Sequence, residues 1–484
     1  MPHRSEKKRR PALLLSLACC FVAATAAASA ADARPNVVLV MADDQGWGDM
    51  AYNGHPHLKT PHFDAFARQG VRFDNFHAAA PVCSPTRGGV MTGRTPNRFG
   101  CFSWGFPLRP QEVTIAEALQ AAGYRTGHFG KWHLGGMQAA SPVNPGASGF
   151  DEWASSPNFF DLDPILSVGG TATPFKGDSS DVTVELALKF IRESTTTDKP
   201  FLAVVWFGSP HSPHQALDAD RELYAERPKR EQDFLGEITA MDRAFGRLRT
   251  ELRENGLGEN TLLWYCSDNG ALPRVGSSGG RRANKGSIYE GGLLVPAILE
   301  WPARIDAPQV VTTPCVTSDI YPTVLAATGA TIEQQPPLDG INLLPVLDGG
   351  GAARRPPIGF WSHPTRGRGV PAKEWMEELY AAQQQGQEPT DANRLFTDAG
   401  EITGTAPTDR FPGHAAWLDG DWKLHRIEID KTGNVKWELY GLADDPTESR
   451  DLAQTEPVRA GRMKQELERW LGSVARSLNG EDYR

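Results

Sequence analysis

Three strand-length stretches of the chain are apolar at almost every position rather than at alternate ones: 37–42 (Val-Val-Leu-Val-Met-Ala), 201–207 (Phe-Leu-Ala-Val-Val-Trp-Phe) and 261–266 (Thr-Leu-Leu-Trp-Tyr-Cys). Such runs predict parallel strands buried on both faces. Each ends in a polar loop: Asp43-Asp44-Gln45-Gly46, Gly208-Ser209-Pro210-His211 and Ser267-Asp268-Asn269-Gly270. Open α/β sheets bind ligands just beyond the carboxyl ends of their strands, so these loops are the first candidates for a site.

Helical periodicity fills the intervals. Residues 62–69 place Phe63 and Phe66 on one face, and 114–122 do the same with Ile115, Ala118 and Leu119. Helices are also predicted over 182–193 and over 234–255, where Ile238, Met241, Phe245 and Leu248 form a core stripe. A short strand is predicted within 71–76, another over 297–300, and a helix beginning at Ser318 or Asp319. Residues 136–180 are rich in Gly, Pro, Ser and Asp and read as a long surface loop with little regular structure. A linker is read from Leu338 to Gly351. Beyond it the period shortens: 359–362, 415–418, 422–427 and 437–440 predict a small antiparallel sheet. A closing helix over 456–474 carries Met463, Leu467, Trp470 and Leu471 on one face.

The stretch Pro81-Val82-Cys83-Ser84-Pro85-Thr86-Arg87 carries the sharpest local chemistry. Pro85 suits the first turn of a helix. Cys83 then stands near a helix N-terminus, where free amides favour an anion, and Arg87 about one turn on reaches the same place. A buried, inert cysteine in a tight turn is the plainer reading. Asp43 and Asp44 are costly side by side unless a cation sits between them, although an Asp-rich turn would also account for them. Lys131 and His133, two apart on an extended segment, face one way and suit anion binding and proton movement.

The N-terminus changes the picture of where the protein works. A basic region (Arg4, Lys7, Lys8, Arg9, Arg10), an apolar run from Ala12 to Ala26 and the small residues Ala28-Ser29-Ala30 form a secretory signal pattern. Cys19 admits a lipoprotein reading, but the leucine usual three residues before it is missing. Export to the periplasm or the extracellular space is expected, with no transmembrane segment after signal removal. Cleavage removes five basic side chains and one acidic one, making the net charge of −9 more negative by four. So acidic a chain argues against nucleic acid as a partner. Attraction for an anionic substrate must come from a local cluster or a bound cation. Cys83, Cys101, Cys266 and Cys315 remain, without Cys-x-x-Cys spacing, which indicates neither zinc nor a dense disulfide framework. A Cys83–Cys101 bridge is the one pairing considered, and it would consume the reactive group.

Cys83-Ser84-Pro85-Thr86-Arg87, followed by Met91-Thr92-Gly93-Arg94, closely resembles the signature of the formylglycine-dependent (type I) sulfatases. Gly127-His128-Phe129-Gly130-Lys131-Trp132-His133-Leu134-Gly135 resembles their second signature, and Arg281 to Pro296 their last active-site block, with Leu294 where arginine is frequent. Leu439-Tyr440-Gly441-Leu442 is similar to their C-terminal motif, so the resemblance spans nearly all of the mature chain. It implies an α/β, alkaline-phosphatase-like fold: a large mixed, mostly parallel sheet sandwiched by helices, with a smaller C-terminal α+β subdomain containing an antiparallel sheet. The expected division is a signal peptide over 1–30, a catalytic domain over 35–347 and the C-terminal subdomain over 355–484.

The resemblance further implies a sulfuric ester hydrolase. Cys83 becomes formylglycine, made by a maturation enzyme, and its hydrate is the nucleophile. Asp43, Asp44, Asp268, Asn269 and the group at Cys83 hold one divalent cation, Ca²⁺ first and Mg²⁺ second. Arg87, Lys131 and Lys285 hold the sulfonyl oxygens. His211 protonates the leaving alcohol and His133 takes a proton from the second hydroxyl. Blocks 98–109 and 410–417 resemble bacterial arylsulfatase and N-acetylgalactosamine-6-sulfatase-like members, which makes His414 a candidate substrate contact. The expected substrate is a sulfated polysaccharide or oligosaccharide. A phosphate or phosphonate monoester hydrolase of the same architecture, and a sulfated-glycan binding protein with unmodified Cys83, are the alternatives.

Overall fold

The structure is a computed structural model that describes Met1, His3 and residues 34–349, 356–430 and 432–483. The signal segment falls almost wholly outside the described residues, as do Gly350 and Gly351 of the predicted linker. Sixteen strands follow in chain order among the described residues: β1 (Asn36–Ala42), β2 (Val71–Phe73), β3 (Phe76–His77), β4 (Arg125–Lys131), β5 (Glu152–Ser156), β6 (Ile165–Val168), β7 (Thr171–Pro174) and β8 (Phe201–Trp206); then β9 (Thr261–Ser267), β10 (Ala297–Glu300), β11 (Gln309–Val311), β12 (Cys315–Val316), β13 (Ile358–Ser362), β14 (His414–Asp419), β15 (Trp422–Glu428) and β16 (Val435–Gly441).

Ten of them form one mixed sheet in the order β11-β2-β10-β9-β1-β8-β4-β5-β6-β7. Its centre, β9-β1-β8-β4-β5, is parallel throughout. The unbroken apolar runs have a direct cause here. Along β1, Val37, Leu39 and Met41 enter one core while Val38, Val40 and Ala42 enter another on the opposite face. Helices Pro61–Gln69, Ser179–Ser194 and Lys229–Glu254 cover the second face, the last through Phe234, Ile238, Met241, Phe245 and Leu248. Helices Cys83–Thr92, Ile115–Ala121 and Ile320–Thr328 cover the first. Burying one such Phe or Leu contributes roughly 1.5–3 kcal/mol. Among the described residues no helix is long and apolar enough to cross a membrane.

One expectation is overturned. Residues 136–180 are not a structureless loop, since β5, β6 and β7 extend the sheet to its edge. These strands are four or five residues long, and β5 and β7 are largely polar, so no apolar alternation marks them. Two of their buried serines bond tertiary partners: Ser155 Oγ meets His128 Nδ1 at 2.7 Å, and Ser167 Oγ donates to the Met137 carbonyl at 2.7 Å.

The second sheet is antiparallel, β13-β14-β15-β16, and the helix Pro457–Leu478 packs Met463, Leu467 and Leu471 against it. Glu290 ties it to the two-stranded parallel pair β12-β3, accepting from buried Lys423 Nζ at 2.6 Å and facing His77 Nε2 at 3.1 Å. This charged joint fixes the end of the segment that carries Lys285. Cys83, Cys101, Cys266 and Cys315 are all free and buried, so the Cys83–Cys101 bridge is not formed.

Candidate active site

The loops after β1, β8 and β9 converge because those strands lie side by side and end in register: Met41 pairs with Trp206, and Ala42 with Ser267. Backbone bonds continue the alignment past the strands. Asp43 N donates to the Ser209 carbonyl at 3.0 Å, and Asp268 N to the Ala42 carbonyl at 3.2 Å. Asp44 N donates to Asp268 Oδ1 at 3.0 Å. Asp44 takes a positive φ of 74°, a strained conformation for a non-glycine residue.

Cys83 is the first residue of the helix Cys83–Thr92, whose N-cap, Val82, offers no side-chain cap. The helix-start expectation from Pro85 therefore holds. Arg87, one turn on, is fully buried; its Nε and Nη2 donate to Asp268 Oδ2 at 3.1 and 2.7 Å, and Nη1 donates to the Lys131 carbonyl at 3.1 Å. The Trp206 ring supports the guanidinium at 5.1 Å. Lys131 Nζ lies 2.5 Å from Asp43 Oδ2, and Lys285 Nζ 2.6 Å from Asp44 Oδ1. The Lys285 backbone is anchored by donation to the Ala271 carbonyl at 2.9 Å.

Lys131 and His133 are both buried at the centre, but not by simple strand alternation. β4 ends at Lys131, and His133 turns in with a φ of 58°. Both of its ring nitrogens are buried without a hydrogen-bond partner. Burial, with Lys131 and Arg87 nearby, holds its pKa well below the ordinary histidine value, so the ring is neutral. His211 donates from Nδ1 to the Ser212 carbonyl at 2.6 Å, stands 3.6 Å from Asp44 Oδ2 through Nε2, and stacks on Phe159 at 4.4 Å. Burial lowers it to about 3, with Asp44 partly opposing. His414 is set apart. It begins β14, meets His425 Nδ1 at 2.9 Å through Nε2, and packs edge-on to Tyr289, four residues beyond Lys285.

The donor set fits a hard cation. Asp43, Cys83 and Asp268 present ligand atoms within 4.8 Å of one another, and so do Asp43, Asp44 and His211. Asp43 Oδ1 and Asn269 Oδ1 are buried acceptors with no hydrogen-bond partner. Unsatisfied buried oxygens beside further carboxylates are what Ca²⁺ or Mg²⁺ binds, and zinc prefers nitrogen and sulfur. Charge balance agrees. Three carboxylates face Arg87, Lys131 and Lys285, so a divalent cation would turn the centre positive and suited to an anionic ester.

Electrostatics yield a prediction. Burial, reinforced by Asp268 and Asp44 and opposed by Lys131 and Arg87, pushes Asp43 up to about 8 from 3.8. Burial also raises Asp44, but Lys285, His211 and Lys131 outweigh it and hold that carboxyl below the usual range. The folded, cation-free protein therefore keeps a proton on Asp43 that the unfolded chain has lost. That contribution to stability declines as pH rises through the window between the two values. A cation must displace this proton. The rise in Tm caused by added Ca²⁺ is expected to be larger at about pH 8 than at about pH 6; equal shifts would contradict it.

Three supports were not legible in sequence. Tyr265 OH donates to Gln45 Oε1 at 2.5 Å and fixes the loop after β1. Asp49 accepts from Gly46 N and Ser277 N at 2.9 and 2.8 Å. Phe159, under His211, falls in the stretch read as irregular. Only the Asp49 contact to Gly46 had a local signal, the short Gly46-to-Asp49 spacing.

The sulfatase family model matches residues 35–330. The chain is 34% identical to arylsulfatase A of Homo sapiens over 377 residues, 69% of this chain and 72% of that one. It is 31% identical to N-acetylgalactosamine-6-sulfatase of Canis lupus familiaris over 380 residues, 68% and 69% of the two chains. Among solved structures, Ps i-CgsB in complex with k-i-k-neocarrahexaose superposes with a TM-score of 0.76 at 24% identity, covering 91% of this chain and 93% of that one. Phosphonate monoester hydrolase of Agrobacterium radiobacter gives 0.58 at 22% identity, covering 92% and 96%. These two likenesses concern the fold, an alkaline-phosphatase-like sheet with a small antiparallel companion. Taken with the family match and the two curated relatives, they lead to one conclusion: the chain belongs to the sulfatase family, and it is a sulfuric ester hydrolase.

Proposed function

We propose that the enzyme hydrolyses sulfate monoesters of sulfated polysaccharides or oligosaccharides, using formylglycine made from Cys83 and one divalent cation, with Ca²⁺ favoured over Mg²⁺. The observation that carries this reading is the pair of unpartnered buried oxygens, Asp43 Oδ1 and Asn269 Oδ1, in a centre where Arg87, Lys131 and Lys285 also converge. Asp43, Asp44, Asp268, Asn269 and position 83 would hold the cation. When present, formylglycine supplies a geminal diol and the cation lowers the pKa of a hydroxyl.

The chain's own groups do the rest. Arg87, Lys131 and Lys285 bind the sulfonyl oxygens and hold the ester in line. His133, neutral and unpartnered, takes up a proton on a ring nitrogen. His211 gives a proton from Nε2 to the leaving alcohol oxygen. Burial keeps it neutral in the free protein; an arriving anion beside Lys285 and Lys131 offsets their field and favours the protonated ring. His414, held against Tyr289, is assigned to the sugar-facing rim. A formylglycine-generating enzyme is the implied maturation partner, and export is read from the leader pattern.

Leaving-group chemistry tests the His211 assignment. His211→Ala should lower kcat on sugar sulfates by about 10²–10⁴-fold. A nitrocatechol sulfate, whose leaving group needs no proton, should lose far less. Equal losses would remove His211 from the acid role. The reaction class is tested by turnover of matched aryl sulfate and aryl phosphate esters. Preference for the sulfate is expected; preference for the phosphate would favour a phosphoryl hydrolase, and turnover of neither would favour a binding protein.

A further inference from the structure

Trp104 is 42% exposed and is the one aromatic among the exposed large apolar side chains of the described residues. Its loop is rigidly placed. Gly105 N donates to Ser84 Oγ at 2.8 Å, which ties the loop to the residue beside Cys83. Arg368 N donates to the Trp104 carbonyl at 2.9 Å. A Cβ on Gly367 would fall 2.1–2.4 Å from three indole atoms, so the Gly367 backbone lies against one face of the ring. Packing covers that face, and 42% of the residue stays exposed.

The surroundings of the ring are aromatic and cationic. His363 stacks on Phe102 at 4.5 Å, and the Arg368 guanidinium lies over the Phe106 ring at 4.5 Å. Arg366 and Arg368 are exposed. Neither forms an ion pair with a carboxylate among the described residues, whereas arginines such as Arg72, Arg98, Arg192 and Arg462 do. A flat, pre-positioned indole suits the C–H face of a pyranose, and guanidinium groups without a carboxylate partner suit sulfate or carboxylate.

We propose that Trp104, Arg366 and Arg368 form a subsite for a second, anionic sugar of an oligosaccharide whose neighbouring sugar carries the reacting sulfate. The proposal rests on the saccharide reading above. It makes the enzyme's preferred substrate at least a disaccharide with a charge outside the ester that is cleaved. The Ser84 tether joins the Trp104 loop to the helix that begins at Cys83.

Two readouts on the full chain test it. The first is kcat/KM on methylumbelliferyl sulfate. The second is a fluorescence titration, which needs no turnover, with a chondroitin sulfate tetrasaccharide, a carrageenan hexasaccharide and their sulfated monosaccharides. At least one oligosaccharide should bind about tenfold more tightly than its monosaccharide, and Trp104→Ala should remove that advantage while changing the aryl ester's kcat/KM by no more than about twofold. Trp104→Phe should keep most of it. Arg366→Ala with Arg368→Ala should weaken oligosaccharide binding and flatten its salt dependence. The proposal is overturned if neither oligosaccharide outbinds its monosaccharide, if Trp104→Ala leaves binding unchanged, or if it weakens aryl ester and oligosaccharide alike. Loss of aryl ester turnover in the unmutated enzyme would strike the catalytic reading alone, since the titration still reports on the ledge.

Discussion

Cys83→Ser is expected to react once and stop. The substitution is nearly isosteric at the first residue of a buried helix, so the cations and histidines around it keep their places. A serine hydroxyl can attack sulfur and release the alcohol, but it cannot expel sulfate by forming a carbonyl, which needs two oxygens on one carbon. A burst of alcohol equal to the enzyme should appear, followed by a turnover rate at least about 10³-fold below that of the native enzyme. Intact-mass measurement should find one sulfate retained per chain. Cys83→Ala should show neither burst nor retained sulfate. Steady multiple turnover by the serine variant would contradict the formylglycine reading while leaving family membership untouched.

Asp268→Ala should produce the largest loss of stability. Asp268 accepts two bonds from buried Arg87 and one from Asp44 N, and it is one of the proposed cation ligands. Its removal leaves a fully buried guanidinium without its hydrogen-bonded carboxylate, with only Asp43 Oδ1 at 3.7 Å, which costs about 3–5 kcal/mol. Denaturant unfolding should show that loss, and activity should fall below detection. Asp268→Asn retains an acceptor oxygen and separates the two effects: it should recover part of the stability while Ca²⁺ no longer raises Tm. An alanine variant as stable as the native protein would mean that Arg87 finds another partner. An asparagine variant with full cation response would remove Asp268 from the ligand set.

The same geometry explains how an acidic chain attracts an anionic ester. The net charge of −9 works against it at long range. Locally, a divalent cation held by Asp43, Asp44 and Asp268 would displace the Asp43 proton and, with Arg87, Lys131 and Lys285, leave the centre net positive where dielectric screening is weak. The leucine at position 294, where family members often carry arginine, fits this picture as packing: it is buried, and its backbone carries a bridge to His77.

How much of this was legible in sequence depended on the physical origin of each signal. Strands β1, β8 and β9 could be read because burial on both faces forces apolar residues at successive positions, and their end-loops then pointed to Asp43, Asp44, His211, Asp268 and Asn269. Helix Lys229–Glu254 was read from its stripe, although its start lay five residues earlier than the apolar pattern, at a position where Pro228 rather than a core residue sets the boundary. β5 to β7 could not be read, because they are four or five residues long and buried serines such as Ser155 and Ser167 bond partners distant in sequence. The same limit hid Phe159 beneath His211 and Lys423 against Glu290. Each such pair joins residues far apart in sequence, and no local pattern marks either member. His133 reaches the centre through a left-handed turn after β4 and not through strand alternation, a conformation that the Lys131-to-His133 spacing does not mark.

The central claim is that position 83 works as an aldehyde and not as a thiol. The measurement closest to it is mass spectrometry of the proteolytic peptide spanning Cys83, from enzyme produced together with a formylglycine-generating partner and from enzyme produced without one. The account predicts a peptide with the mass of formylglycine in the active preparation, alkylation-resistant and reactive toward hydrazides, and an alkylatable thiol in the inactive one. An active enzyme whose Cys83 is quantitatively a thiol would contradict it.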